Sequence, residues 1–210
     1  MKPIISLRWR VPMRKLEPQV YDNYRAAQDK MTDLFKSSAE DFNNLEQFYI
    51  VGYATIRRPV PKKLYTGLTV CGKPVEEVGC GIICTAQAMF PMHQEIDREA
   101  MEEIVSVIEE KEYYLPGSGL YWHWFNNFCR RATHWYEIIM ALQLCDPVTV
   151  LIKRPGDTRN YFMNLLGIRV PVKITSPSDV VFITSDEKNN CEITLAKLME
   201  QIVTAPWIWC

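Results

Sequence analysis

The sequence lacks the marks of several large classes of protein. No apolar run reaches the roughly 18 residues that a bilayer span requires. The opening "MKPIISLRWRVPMRKL" is interrupted by Arg8, Arg10 and two prolines, so it does not have the form of a signal peptide. There is no Asn-x-Ser/Thr acceptor, no myristoylation start and no terminal prenylation box, since Cys210 is the last residue. "GDTRN" and "GSG" carry nothing of a phosphate loop, because no Gly-Lys-Ser/Thr follows a strand. No cofactor is expected. Charge of either sign is also missing in net terms: 24 basic and 25 acidic side chains leave −1. Attraction to nucleic acid or anionic lipid must therefore come from local clusters. Cysteine is present but not paired in pattern. Seven is an odd count, irregularly spaced at 71, 80, 84, 129, 145, 191 and 210, which favours reduced thiols in a cytosol-like compartment over a secreted disulfide framework.

What is present is a globular composition, with 48% apolar and 23% charged residues in a chain of 210. Length favours one domain, residues 21–210, behind a basic arm, residues 1–20. Pro3, Pro12 and Pro18 keep that arm from being a regular helix. Tyr24, Ala27, Met31, Leu34 and Phe35 recur at helical spacing and predict a helix over 21–36. "FYIVGYATI", "LYTGLTV" and "VGCGIICTA" read as strands, with "CGKPVEE" a turn between the last two. Ile96, Ala100, Met101, Ile104, Val105 and Ile108 mark a second helix whose other side is acidic. A long helix fits 120–143. "PVTVLIK", "IRVPVKI" and "DVVFITS" are further strands, and a closing helix over 192–203 precedes "APWIWC". These elements predict an α+β fold: one domain with a mixed or antiparallel sheet packed by three to four helices.

Residues 112–136, "EYYLPGSGLYWHWFNNFCRRATHWY", hold nine of the 24 aromatic side chains and two of the three histidines. On a helix, Trp124, Phe125, Phe128, Cys129, Ala132, Trp135, Ile139 and Leu142 share an apolar face. His123, Asn127, Arg130, His134 and Glu137 fall on the opposite, solvent-facing stripe. The aromatic face forms core, and part of it is a candidate docking surface, with Tyr121 and Trp122 at its edge. Cys84 and His134 supply the nucleophile and base of a cysteine-dependent protease. Against that, an activated thiol needs a helix N-terminus or a cation beside it. Cys80, Ile82 and Cys84 on one face of a strand instead read as core. Cys71, Cys80, Cys84 and His93 could make a zinc set, but without the tight pairs of such sites. "PSDVVFITSDEK" has the acid-then-acid-x-Lys order of a metal nuclease, which a strand ending in a polar turn also produces. No metal site and no catalytic residue is expected.

Basic clusters are the stronger signal. Lys2, Arg8, Arg10, Arg14 and Lys15 in the arm surround Trp9, and Arg57, Arg58, Lys62 and Lys63 follow the first strand. Such patches, with an aromatic anchor, suit an anionic membrane surface or the phosphates of a ribonucleoprotein. A nucleic-acid-binding accessory or suppressor protein would use them in the same way. Glu99, Glu102, Glu103, Glu109 and Glu110 form the opposing patch. Acidic and basic faces on one body suit head-to-tail association of copies.

Two segments, "FYIVGYATIRRPVP" and the run from "EEKEYYLPGSG" into "LYWHWFNNF", resemble rhabdovirus matrix proteins in their order of strand, helix, Tyr-and-Gly loop and apolar helix. The likeness covers 48–61 and about 98–136, and there is no Pro-Pro-x-Tyr budding motif. It implies a non-enzymatic viral structural protein of the virion and host cytoplasm. Such a protein self-associates, coats a nucleocapsid, lies peripherally on membrane and takes no small-molecule substrate.

Overall fold

The computed structural model describes residues 18–39, 52–55, 59–90, 96–115, 119–170, 174, 176–185 and 192–209. In chain order these give α1 (Pro18–Ser37), β1 (Gly52–Thr55), β2 (Thr69–Val70), β3 (Lys73–Pro74), α2 (Val75–Val78), α3 (Cys80–Met89) and α4 (Arg98–Glu110). Next come β4 (Tyr114–Leu115), β5 (Gly119–Leu120), a 3-10 helix (Trp122–Asn127), β6 (Cys129–Arg131) and α5 (Trp135–Gln143). The chain closes with β7 (Val148–Ile152), β8 (Tyr161–Val170), β9 (Val181–Thr184), β10 (Glu192–Thr194), α6 (Leu195–Gln201) and β11 (Ile202–Trp209). The fold is α+β, as the composition and element order predict.

The main sheet is antiparallel throughout its described pairings, in the order β10-β9-β8-β7-β11-β6, with β1 pairing the far end of β8. Helices cover both faces, which explains why all five residues of β7 are buried. Alternation sorts them. Leu151, Phe162, Trp207 and Trp209 face α3, α4 and the 3-10 helix. Val148, Val150, Ile152, Met163, Leu165 and Ile208 face α1, α5 and α6. Among the described residues there are four helices of nine residues or more: α1, α3 and α5 pack on this sheet, and α4 packs on α3.

Several local readings are corrected. "VGCGIICTA" is not a strand but α3. Eight of its ten residues are buried, so it lacks the polar stripe by which an amphipathic helix is read. "LYTGLTV" gives only a 3-10 turn at Lys62–Leu64 and the two-residue β2. The helix expected over 120–143 is split. Residues 129–131 pair with Trp207–Trp209 across the sheet, and α5 starts afresh at His134. There the ring Nδ1 accepts from Tyr136 N at 3.3 Å and Glu137 Oε1 accepts from His134 N at 3.0 Å. The closing helix is shorter than expected, and "PWIW" belongs to β11, a strand paired on both sides next to the edge strand β6. Register shifts on either side of Thr204 let β11 carry Pro206, whose carbonyl accepts from Ala132 N. On α1 the buried side is Gln28, Thr32 and Phe35, while Ala27 and Leu34 are exposed.

Candidate functional site: a cleft beside the start of α3

Two glycines bracket Cys80. A Cβ at Gly79 would stand 2.5 Å from the Val75 carbonyl oxygen and 2.4 Å from Val75 Cγ1. A Cβ at Gly81 would stand 2.6 Å from Leu120 Cδ2 and 3.1 Å from Phe162 Cδ2. Only glycine lets α2 break directly into α3, and only glycine lets the first turn of α3 press against β5 and β8. Cys80 is thereby the first residue of α3 and opens onto a cleft of 590 Å³ between α2–α3 and the β7–β8 hairpin. Val78, Ile83, Leu120 and Phe162 are among its apolar lining. Exposed Lys73, Glu76, Glu77 and Arg159 stand at its mouth. Tyr161, also lining it, lies under the Arg154 guanidinium at 4.6 Å.

A buried polar strut holds α3 to the sheet below this cleft. Asn164 Nδ2 donates to the Cys84 carbonyl at 2.8 Å and to Gln87 Oε1 at 3.0 Å, and its Oδ1 accepts from Thr149 Oγ1 at 2.6 Å. Trp209 Nε1 donates to the same Thr149 hydroxyl at 2.9 Å. On the other flank, Trp124 Nε1 donates to Thr85 Oγ1 at 2.8 Å, and Thr85 in turn donates to the Gly81 carbonyl. The aromatic stretch is therefore largely core, with Trp124 and Phe125 fully buried.

The thiols are kept protonated. Burial pushes the Cys80 thiol up, against the backbone N–H groups of Phe162, Gly81 and Cys80 itself. Cys84, one turn deeper, is pushed well above its ordinary value by burial and by the neighbouring Cys80. Among the described residues lining the cleft there is no histidine. A thiol that burial holds protonated is a weaker nucleophile than a free one.

The pairing of Cys84 with His134 is not formed. Cys84 packs in the layer on the α3 side of the sheet, while Trp135 and the rest of α5 pack on the opposite side. His134 is occupied as a helix cap. His123, expected at the surface, is buried, its pKa lowered by burial and by the charge of Arg131. Of the proposed zinc set, Cys71 is exposed, Cys80 and the buried Cys84 both line the cleft, and His93 lies outside the described residues. Among the described residues no three His, Cys, Asp or Glu side chains group as metal ligands. In the nuclease-like segment, Val181–Thr184 is β9, and the acids and lysine after Ser185 lie outside the described residues.

Lys2, Arg8, Trp9, Arg10, Arg14, Lys15, Arg57 and Arg58 also lie outside the described residues. Lys62 and Lys63 are exposed, and Lys62 sits 3.7 Å from Glu76. Glu99, Glu102, Glu109 and Glu110 are exposed on α4. Glu102 pairs with Arg98, Glu110 with Lys111, and Glu109 accepts from the backbone of Cys71. Arg98 also donates to the Thr66 carbonyl at 2.9 Å. The acidic helix and the segment after Lys63 are thus neighbours within one molecule. Trp122 lines the cleft, and Tyr121 precedes it, half-buried. The sequence singled out Cys84, which lines the cleft but is buried, and not Cys80, which is more open to it. The available signal was its flanking glycines, "GCG", which mark a backbone packed too closely for any side chain. No helix of the described residues is long and apolar enough to cross a membrane. No family model, no curated protein and no solved structure matches the chain.

Proposed function

We propose that the chain is a binding protein that breaks no bond, and that the cleft beside α3 takes an amphipathic ligand the size of a short peptide segment. The observation that carries this is the cleft itself. Its 590 Å³ falls within the roughly 300–1,000 Å³ of ligand sites. Its walls carry many apolar side chains and its mouth carries both charges, and its two thiols, Cys80 and Cys84, are desolvated with no histidine among the described lining residues. The test is a ligand screen of short amphipathic peptides, read by ligand-observed NMR, on the native chain and on Ile83→Trp, which fills the cleft. Binding lost in Ile83→Trp at unchanged melting temperature supports the reading. Equal binding by both chains, or peptide turnover abolished by Cys80→Ala, overturns it.

A second reading, a matrix-like assembly role on membrane or ribonucleoprotein, is favoured by one observation. The outer side of α4 presents four exposed carboxylates, and Glu103 between them has its pKa raised by burial and by Glu99. That reading expects salt-sensitive self-association. Sedimentation as a monomer at both low and high salt removes it.

A further inference from the structure

Arg131 is the last residue of β6, an edge strand, and stands directly opposite Trp207 of β11. Its guanidinium lies over the Trp207 ring, 3.9 Å from the centroid, and 6.0 Å from that of Trp122. Nη2 donates to Thr204 Oγ1. Nε and Nη1 are buried and have no hydrogen-bond partner. Among the described residues no carboxylate forms an ion pair with this side chain. Burial pulls the guanidinium down to about 9, against the opposing effect of Cys129.

A second buried donor is carried by α1, the helix whose Thr32 meets the same Thr204 hydroxyl. Thr32 Oγ1 on α1 lies 3.2 Å from Thr204 Oγ1 and donates to the Gln28 carbonyl at 2.7 Å. Gln28, one turn earlier, has a buried Nε2 with no acceptor. Where β6 stops and β11 runs on against α1, the chain therefore gathers buried N–H groups on two side chains and offers them no acceptor. Stacking on an indole offsets part of the desolvation of a cation, but it leaves in-plane N–H groups unsatisfied, each a penalty of about 1–3 kcal/mol. An oxyanion is the group that meets both needs, since it neutralises the charge and accepts several hydrogen bonds.

We infer that Arg131, with Gln28 as a second donor, anchors an oxyanion, a carboxylate or a phosphate group, at the end of β6. This site is separate from the cleft beside α3, and it stands or falls independently of the function proposed above. Trp207, stacked under the guanidinium, is its reporter.

The experiment titrates the full chain with sodium phosphate and with sodium acetate against sodium chloride at constant ionic strength, following tryptophan fluorescence and melting temperature. Arg131→Met and Arg131→Lys are run alongside. Methionine preserves packing on Trp207, and removing a buried unpaired charge is typically neutral or stabilising. Lysine keeps the charge without the planar donors. A saturable change with phosphate, acetate or both, weakened about tenfold or more in Arg131→Met and only partly restored in Arg131→Lys, establishes the site. The anion that acts names the source. General salting-out raises the stability of every variant alike. An equal response in native chain and Arg131→Met, or no response beyond chloride in the native chain, overturns the inference. Should Arg131→Met fail to fold, the same comparison is made with Gln28→Leu, where an unchanged titration overturns the role of Gln28 and a weakened one supports it.

Discussion

Asn164 provides the sharpest test of how the cleft is built. Its side chain is fully buried and bonds three partners at once: the Cys84 carbonyl, Gln87 Oε1 and the Thr149 hydroxyl. Leucine has the same branching and heavy-atom count, so Asn164→Leu opens no cavity and chiefly removes the polar contribution. It strands the hydroxyl proton of Thr149 and the amide oxygen of Gln87 in a dry layer. At about 1 kcal/mol for each of three lost bonds, and more for partners left unpaired, the expected loss is about 3–4 kcal/mol. That is a large part of the roughly 5–15 kcal/mol that holds a domain together. Thr149→Val alone deprives Asn164 Oδ1 and Trp209 Nε1 of a partner and is expected to lose about 1–2 kcal/mol. The double variant is the informative one. Once Asn164 is gone, the Thr149 hydroxyl has lost its acceptor and keeps only the bond from Trp209 Nε1, so its removal costs less than in the native chain and the two losses are not additive. Urea unfolding followed by tryptophan fluorescence measures all four chains, with a common m-value required for comparison. A coupling of about 1 kcal/mol or more is expected. Additivity within about 0.5 kcal/mol would show that the strut does not act as a unit.

Three other outcomes follow from named contacts. Gly79→Ala meets a backbone oxygen at 2.5 Å, whereas Gly81→Ala meets mainly the mobile end of Leu120. Gly79→Ala is expected to lose about 3 kcal/mol and Gly81→Ala about 1, and the reverse ranking in urea midpoints refutes the packing argument. Glu137 has its pKa lowered. Burial works to raise it, but the bonds from Thr133 N, the Arg130 guanidinium and the Thr133 hydroxyl outweigh burial. With the folded value below the unfolded one, its contribution is complete above the usual carboxylate range and is lost as pH falls through the folded value. Glu137→Gln therefore loses about 1 kcal/mol at neutral pH, and the gap from the native chain closes in acid; a pH-independent gap refutes the assignment. Cys84 is buried with its pKa raised, while Cys71 and Cys145 are exposed. Peptide mapping after brief alkylation should find the two exposed thiols modified and Cys84 intact until the chain is unfolded, and early labelling of Cys84 would place it wrongly in the core.

The binding reading and the anion site share a feature of the architecture. Both rest on pieces brought together by β11 or β8, strands that meet partners far away in sequence. Cys80 sits against Leu120 and Phe162, and Arg131 against Thr204 and Trp207. In each case the neighbouring side chains are ordinary on their own, and the chemistry arises from their juxtaposition.

From the sequence alone, α4 was fully legible. It is covered on one side only, so Ala100, Met101, Ile104, Val105 and Ile108 stand out from the acids between them, and all five are buried. The existence of α1 and β9 and the α+β class were legible for the same reason, since each has a local pattern of the right period, while β7, buried throughout, was legible from its short β-branched run. Tertiary structure alone decided α3, because burial on every side removes the contrast that periodicity needs. It alone made residues 129–131 a strand, since their partners are at 207–209. It also made "PWIW" part of a strand paired on both sides, where an irregular register accommodates Pro206 that local rules would exclude. The physical reason is common to all three: a residue's state is readable locally when one face meets water, and is set by distant neighbours when both faces meet protein.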